Sequence, residues 1–369
     1  MITSSISPAL KIGLRFLDMW PGDSYSTISW LSFMLSILII QYFQYLYIFG
    51  HLKMSELSNL VDGLIVALDY SLTLLKLTSL WAHRRVFHKI LAAMDKDWRE
   101  CINVDKHLYL MTIKANVARF TSNILLSVNA VVAVLYGLGD YVIRFVLFSE
   151  NQNDTLRQLP IKMQFPFETQ QSPTFEFLVV TLFLHVVLHV SGQIDIMCHE
   201  FKNISKGSFL HGSYESFFGL LIEKHNKIIL FSKNIETLFS FIALMQVVWN
   251  TLVICCLGFI IVISIYNETG IFVLLKTISG YLVVMIEAFV ICFAGEYLSL
   301  KGKLIANAIY ESLWYDMPSN ENKIIVFILM RSQKRLTITA GKMMDMSLET
   351  FTGIMKASAS YVSVLNAMY

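Results

Sequence analysis

Seven runs of apolar residues, each long enough to cross a bilayer as a helix, constrain this chain more than any other feature. They cover 27–49, 57–80, 116–148, 174–198, 238–266, 271–297 and 345–369. A spanning helix needs about 20 apolar residues, and inside the hydrocarbon every backbone N–H and C=O must be satisfied within the segment. The expected fold is therefore an all-α membrane protein with seven transmembrane helices. Composition agrees, since only 15% of residues are charged against about 25% in an ordinary soluble domain. The net charge of +2 and the lack of a basic block argue against a nucleic-acid partner. No linker composition or fixed-period repeat divides the chain, so one domain is expected: a bundle with inner helices over 27–298, a cytoplasmic helix region over 299–344 and the last helix over 345–369. The first run lacks the basic flank and small-residue cleavage site of a signal peptide and is expected to be retained.

Lysine and arginine set the orientation. With the N-terminus in the cytoplasm, the inside segments carry 21 of the 29 basic residues and the outside ones carry 3, as the positive-inside rule requires. Seven spans then leave the C-terminus outside. The longest outside segment holds the sequon at Asn153, a glycosylation candidate; Asn267 sits too close to the membrane, and Asn203 falls inside. None of the five cysteines lies in an outside loop, so no disulfide framework is expected. The short apolar run before Arg331, Lys334 and Arg335 reads as a cytoplasmic helix packed under the membrane.

Several polar residues interrupt the spans. Asp62, Asp69 and Lys76 recur every seven residues on one slowly drifting face, which must turn toward other helices or water; Lys76 lies near enough to the inner end to snorkel. Glu287 is expected to be a buried polar contact. His185 and His189 have the i, i+4 spacing that can hold zinc, yet no third ligand accompanies them, so no metal and no cofactor is expected. His185 is a ligand-pocket candidate and His189 a packed polar group. In the last helix Thr350, Gly353, Ala357, Ser360, Val364 and Met368 share a face at 100° per residue. Such a face serves either a hydrated pore closed by a hydrophobic constriction or close helix packing. Lys356 either faces a vestibule or snorkels. Ser358 and Ser363 lie off that face and are expected to hydrogen-bond to neighbouring helices.

Beyond Ile309 the order and spacing of several features resemble the C-terminal signature of insect odorant receptors: Trp314-Tyr315, Arg331-Ser332-Gln333-Lys334, Thr339-Ala340-Gly341, Ser347-Leu348, Thr350-Phe351, Lys356 and Ser360-Tyr361. The segment Leu14 to Pro21, LRFLDMWP, resembles the family's N-terminal segment. Arg335 stands where many members have proline, and Val362 where an aromatic commonly follows the tyrosine. Ala367-Met368 occupy the place where gustatory receptors end in Gln-Phe, which points away from that branch. Segment 199–237 has no room for the long insertion of the olfactory co-receptor, so the chain resembles a ligand-specific, tuning subunit.

The resemblance implies an odorant-gated, non-selective cation channel at the plasma membrane of an olfactory sensory neuron, and no enzyme activity. It implies a heterotetramer with olfactory co-receptor subunits around a central pore, surrounded by membrane lipid. By the family's pattern Val364 and Met368 align with the gate, with Gly353, Ala357, Ser360 and Tyr361 lining the pore. A small volatile organic ligand is expected in the outer half of the bundle. The positions implied by helix depth are Leu64, Ala67 and Leu68; Asn129, Ala133, Tyr136 and Gly137; Leu178, Leu182 and His185; and Leu274, Ile278 and Tyr281. Alternatives are a gustatory-type channel, a non-conducting seven-helix receptor and a secondary transporter.

Overall fold

The computed structural model describes residues 6–17, 19–21, 26–50, 57–147, 174–204, 214–266, 271–312, 314–316 and 319–368. Seven long helices stand where the apolar runs are: α2 (Ser26–Gly50), α3 (Leu57–Ala82), α5 (Asp105–Leu147), α6 (Thr174–Ile204), α7 (Tyr214–Tyr266), α8 (Ile271–Tyr310) and α10 (Leu348–Met368). The described residues also form the shorter helices α1 (Pro8–Phe16), α4 (Arg84–Cys101) and α9 (Ser319–Ser332). Among the described residues, five stretches, in α2, α3, α6, α7 and α8, are long and apolar enough to cross a membrane by length and composition.

Several helices outrun their apolar spans. Helix α7 has 53 residues, roughly 80 Å at 1.5 Å per residue, against a hydrocarbon core of about 30 Å. Helix α8 continues unbroken to Tyr310, so the boundary expected at 298 falls inside a helix. Hydropathy marks only the part of a helix that meets lipid; these extensions are held by charges instead. Asp195 of α6 takes Lys114 of α5 at 3.1 Å and Lys301 of α8 at 2.6 Å, and Lys114 also donates to the Tyr297 hydroxyl at 2.8 Å. Glu200 of α6 pairs with Lys224 of α7, Glu100 of α4 with Lys227 of α7 at 3.1 Å, and Lys202 of α6 with Glu311 at 3.0 Å.

Helix α6 is the hub. In its apolar stretch 89% of the residues are buried, against 22% for α2, so α6 is sheathed by other helices while α2 lies at the outside of the bundle. Helix α1 packs on α6. Ser7 caps it, accepting from the Leu10 N–H, and Pro8 pre-sets the first turn. Leu10, Leu14, Leu17, Met19 and Trp20 are buried, and Gly13 lies so close to Leu178 that a Cβ there would overlap it. This changes the expectation that 1–26 is simply an inside segment: part of it enters the bundle, because its Leu10, Leu14 and Leu17 make an apolar stripe that needs covering.

Between α9 and α10 the chain makes a small hairpin, β1 (Thr339–Ala340) with β2 (Met344–Asp345), Ala340 opposite Met344. Its turn has φ +59° at Gly341 and +61° at Lys342, with the Met343 N–H on the Ala340 carbonyl at 3.0 Å, the geometry of a type I′ turn. The hairpin is seated on α7: the Gly341 N–H donates to the Ser240 carbonyl at 2.9 Å and the Thr339 hydroxyl to Glu236 at 2.9 Å. Ser347 then caps α10, its Oγ accepting from the Thr350 N–H at 3.2 Å. The signature residues Thr339, Gly341, Ser347 and Thr350 thus build the turn and cap that launch α10.

Candidate ligand site and pore helix

His185 sits at the centre of the bundle. Its Nε2 accepts from the Ser7 N–H of α1 at 3.3 Å, its Nδ1–H donates to the Thr181 carbonyl at 2.8 Å, and the Ser122 hydroxyl of α5 lies 3.1 Å from Nδ1. Both ring nitrogens are therefore engaged by the protein. His189, one turn deeper, bonds Asp97 of α4 through Nε2 at 3.0 Å. The two imidazoles serve separate partners on different helices, and among the described residues no group of three metal-ligating side chains forms. Below His185 a crevice between Trp98, Met111, Lys114, Ala115, Ala118 and His189 has room for about one water.

The same layer holds a buried ion pair. Lys76 Nζ of α3 lies 3.0 Å from Glu287 Oε1 of α8, with the side chains 1% and 2% exposed. Lys76 does not snorkel; it is drawn inward because Glu287 is the buried counter-charge, and an ammonium without one in this interior costs several kcal/mol. Helix rise places the pair and His185 at one level. Each of Glu287 and His185 stands roughly 15 Å along its helix from the tie of Tyr297, Lys114 and Asp195.

That layer sorts the sequence-derived ligand residues. Leu64, Ala67, Leu68, Asn129, Ala133, Tyr136, Gly137, Leu178, Leu274, Ile278 and Tyr281 lie toward the other end of the bundle, Leu182 falls one turn above the layer, and His185 lies within it. Ala67 faces α2, on the side of α3 that Gly63 and Ser71 also present: Gly63 lies against Tyr47, and Ser71 bonds Gln41 at 2.6 Å and Tyr45 at 2.9 Å. Leu64 and Leu68 are half-buried, Leu178 and Leu182 buried, Leu274 and Tyr281 half-buried, and Ile278 is exposed. Asn129 is 2% exposed, and among the described residues its Nδ2 has no hydrogen-bond partner. The side chains of Ala133, Tyr136 and Gly137 lie outside the described residues, as does Asn153.

Helix α10 rests on α7 and α8 by one face. Ile354 and Ser358 are buried, Val362 nests on Gly258 of α7, and the Phe351 ring meets Phe289 of α8 edge-on at 5.5 Å. Gly353, Ser360, Tyr361 and Val364 face away from the bundle, Tyr361 and Val364 at 59% and 57% exposure, and no described residue comes within 4 Å of where a Gly353 Cβ would be. Ala357 is half-buried beside them, and Lys356 is exposed. The Met368 side chain lies outside the described residues. Ser358 bonds the Ile354 carbonyl of its own helix rather than a neighbouring one, because an i−4 carbonyl is the nearest acceptor for a hydroxyl packed against an apolar wall.

Missed from the sequence were Ser7 and Ser122, which hold His185. A signal for the first was present, since Ser7-Pro8 followed by Leu10, Leu14 and Leu17 is a helix start with an apolar stripe. Ser122 carries none, being one hydroxyl among many.

Seven long helices around a buried hub, extended by charge-paired ends, define a multi-pass all-α membrane protein of the seven-transmembrane kind. The family model described as 7tm Odorant receptor matches residues 56–359, and the chain belongs to that family, one of receptors rather than enzymes. It is similar to odorant receptor 13a of Drosophila melanogaster, 27% identical over 245 residues covering 58% of each chain. The match to odorant receptor 22c of the same fly covers only 35% of that protein. The chain thus spans 58% and 35% of the length of those two relatives in these matches. Odorant receptor 10 of Aedes albopictus matches at 21% identity over 98% of both chains. The olfactory receptor OR5 of Machilis hrabei shares the fold with a TM-score of 0.73 at 12% identity, each chain covered to 96%. A second structure of that receptor, in complex with eugenol, matches with a TM-score of 0.71 at 14% identity.

Proposed function

We propose that this chain is the ligand-specific subunit of an odorant-gated, non-selective cation channel, working in the plasma membrane with olfactory co-receptor subunits. The observation that carries the reading is the uncovered face of α10. A helix that buries Ile354 and Ser358 against its own bundle while turning Ser360 and Lys356 outward would set a hydroxyl and an ammonium in lipid unless neighbouring subunits or a water-filled pore cover that side. Small and hydroxyl groups suit water at one end, and Val364 with Met368 supplies an apolar constriction that gates by dewetting. Odorant enters above the layer of His185, Lys76 and Glu287, where apolar walls meet Asn129, whose unpartnered Nδ2 is free to donate one hydrogen bond. That a receptor of the same fold takes eugenol supports a small volatile organic ligand. Binding need only favour the open arrangement by a few kcal/mol to shift the population.

The test is current. Co-expression with the co-receptor, followed by a screen of volatiles, should give ligand-evoked cation conductance. Val364→Ala and Met368→Ala should each raise basal current or alter evoked current, and unaltered currents in both would remove the gate assignment. Asn129→Ala should weaken ligand sensitivity by up to about tenfold, the worth of one hydrogen bond, leaving the basal current unchanged.

A further inference from the structure

We infer that the first two turns of α4 form a docking surface for anionic phospholipid headgroups. Helix α3 ends at Ala82 and α4 begins at Arg84, so these turns emerge directly from a transmembrane span. Their depth is marked by aromatic side chains: Trp30 of α2 stacks on Trp81 at 4.5 Å and 17°, and the Arg84 guanidinium lies 5.0 Å over the Trp81 ring. Stacked tryptophans of this kind sit at headgroup level.

The charge on this surface is unbalanced. Arg84, Arg85, His88 and Lys89 are exposed on one side of α4, opposite the buried Phe87, Ile90, Leu91 and Met94. Further along the same helix the cations are neutralised, Lys96 by Glu100 at 3.8 Å and Arg99 by Asp95 at 2.6 Å. Among the described residues no carboxylate pairs with Arg84, Arg85 or Lys89. The helix therefore switches from paired to unpaired cations where it meets the bilayer. An anionic headgroup is the occupant of matching charge at that depth, and Arg84, held over Trp81, presents a planar fork suited to a phosphate. The inference needs only the multi-pass fold, not ligand gating.

The experiment uses the full chain reconstituted in nanodiscs of phosphatidylcholine containing a fluorescent phosphatidylserine or phosphatidylinositol bisphosphate. Lipid enrichment around the protein is read by energy transfer. The wild type should enrich both anionic lipids over fluorescent phosphatidylcholine, the bisphosphate more, and lose that enrichment as salt rises. R84A/R85A/K89A should lower the affinity on the order of 100-fold, from about fivefold per cation, while K96A/R99A keeps it. Should the triple variant fail to fold, Arg84→Gln and Lys89→Gln singly should each cost about fivefold at an unchanged melting temperature. Equal loss in both multiple variants, no loss in the first, or complete displacement by soluble inositol phosphate at the lipid's concentration would each overturn the inference.

Discussion

At the scale of single residues, Lys76 and Glu287 show what a buried charge costs and what it secures. The pair joins α3 to α8 at 3.0 Å with both side chains nearly inaccessible. Desolvating two ions is expensive, so the intact pair adds little net stability, whereas removing one partner strands the other. Lys76→Met and Glu287→Leu should each lower stability by about 3 to 5 kcal/mol, and the two together should recover most of it. Melting temperatures in detergent check this, and a double variant as unstable as the sum of the singles would remove the coupling. His107 makes the complementary case outside the spans. Burial pushes its pKa from 6.5 down to about 4, with the Lys224 and His199 charges adding to the effect. Glu200, 3.4 Å away, does not reverse this, because Lys224 already occupies the same carboxylate oxygen. The unfolded chain therefore takes up the proton first, and the stability His107 contributes is present above about pH 6.5 and is lost as pH falls toward 4. The wild type should lose more melting temperature across that window than His107→Gln; parallel curves would refute the assignment.

At the scale of elements, the helices that meet lipid were legible and the contacts that lock them were not. Hydropathy places α2, α3, α5, α6, α7, α8 and α10, since a spanning segment must be continuously apolar. It is blind to the charged extensions of α7 and α8, whose partners lie a hundred residues away, as with Lys301 and Asp195. For the candidate site, helix depth places most positions above the Lys76 layer, but facing is set by neighbours: Ala67 turns to α2 because Ser71 is bonded there. Helix α1 is the clearest case, a short element whose value depends on docking to α6. Gly13→Leu should force it off, since Leu178 fills the space a side chain would need, at a cost of about 1 to 3 kcal/mol. It should also free the His185 ring from the Ser7 N–H. Faster hydrogen exchange at residues 8–17 than in the wild type would report the release, and unchanged protection there would show that α1 is held by other contacts.

At the scale of the whole molecule, helix length and charge together predict which side of the membrane each end occupies. Helix α7 exceeds the hydrocarbon core by roughly 50 Å, and its excess lies at the Tyr214 end, where Lys224 and Lys227 pair with α6 and α4. The ends of α6 and α8 marked by Lys202 and Glu311 lie on that same side. A body of paired charges this deep cannot sit in lipid, and by the positive-inside rule its abundance of lysine and arginine predicts that it faces the cytoplasm. Helix α10 starts at the hairpin seated on α7 and runs alongside it, from Ser240 near Gly341 to Gly258 against Val362. Its last residues must therefore emerge on the opposite face. An epitope joined after Tyr369 should be reached by antibody on intact cells, whereas one inserted beside Trp314 should be reached only after permeabilisation. The reverse pattern would invert the bundle and leave Val364 at the inner mouth of any pore, where a gate opened by an odorant arriving from outside would have to be argued on different residues.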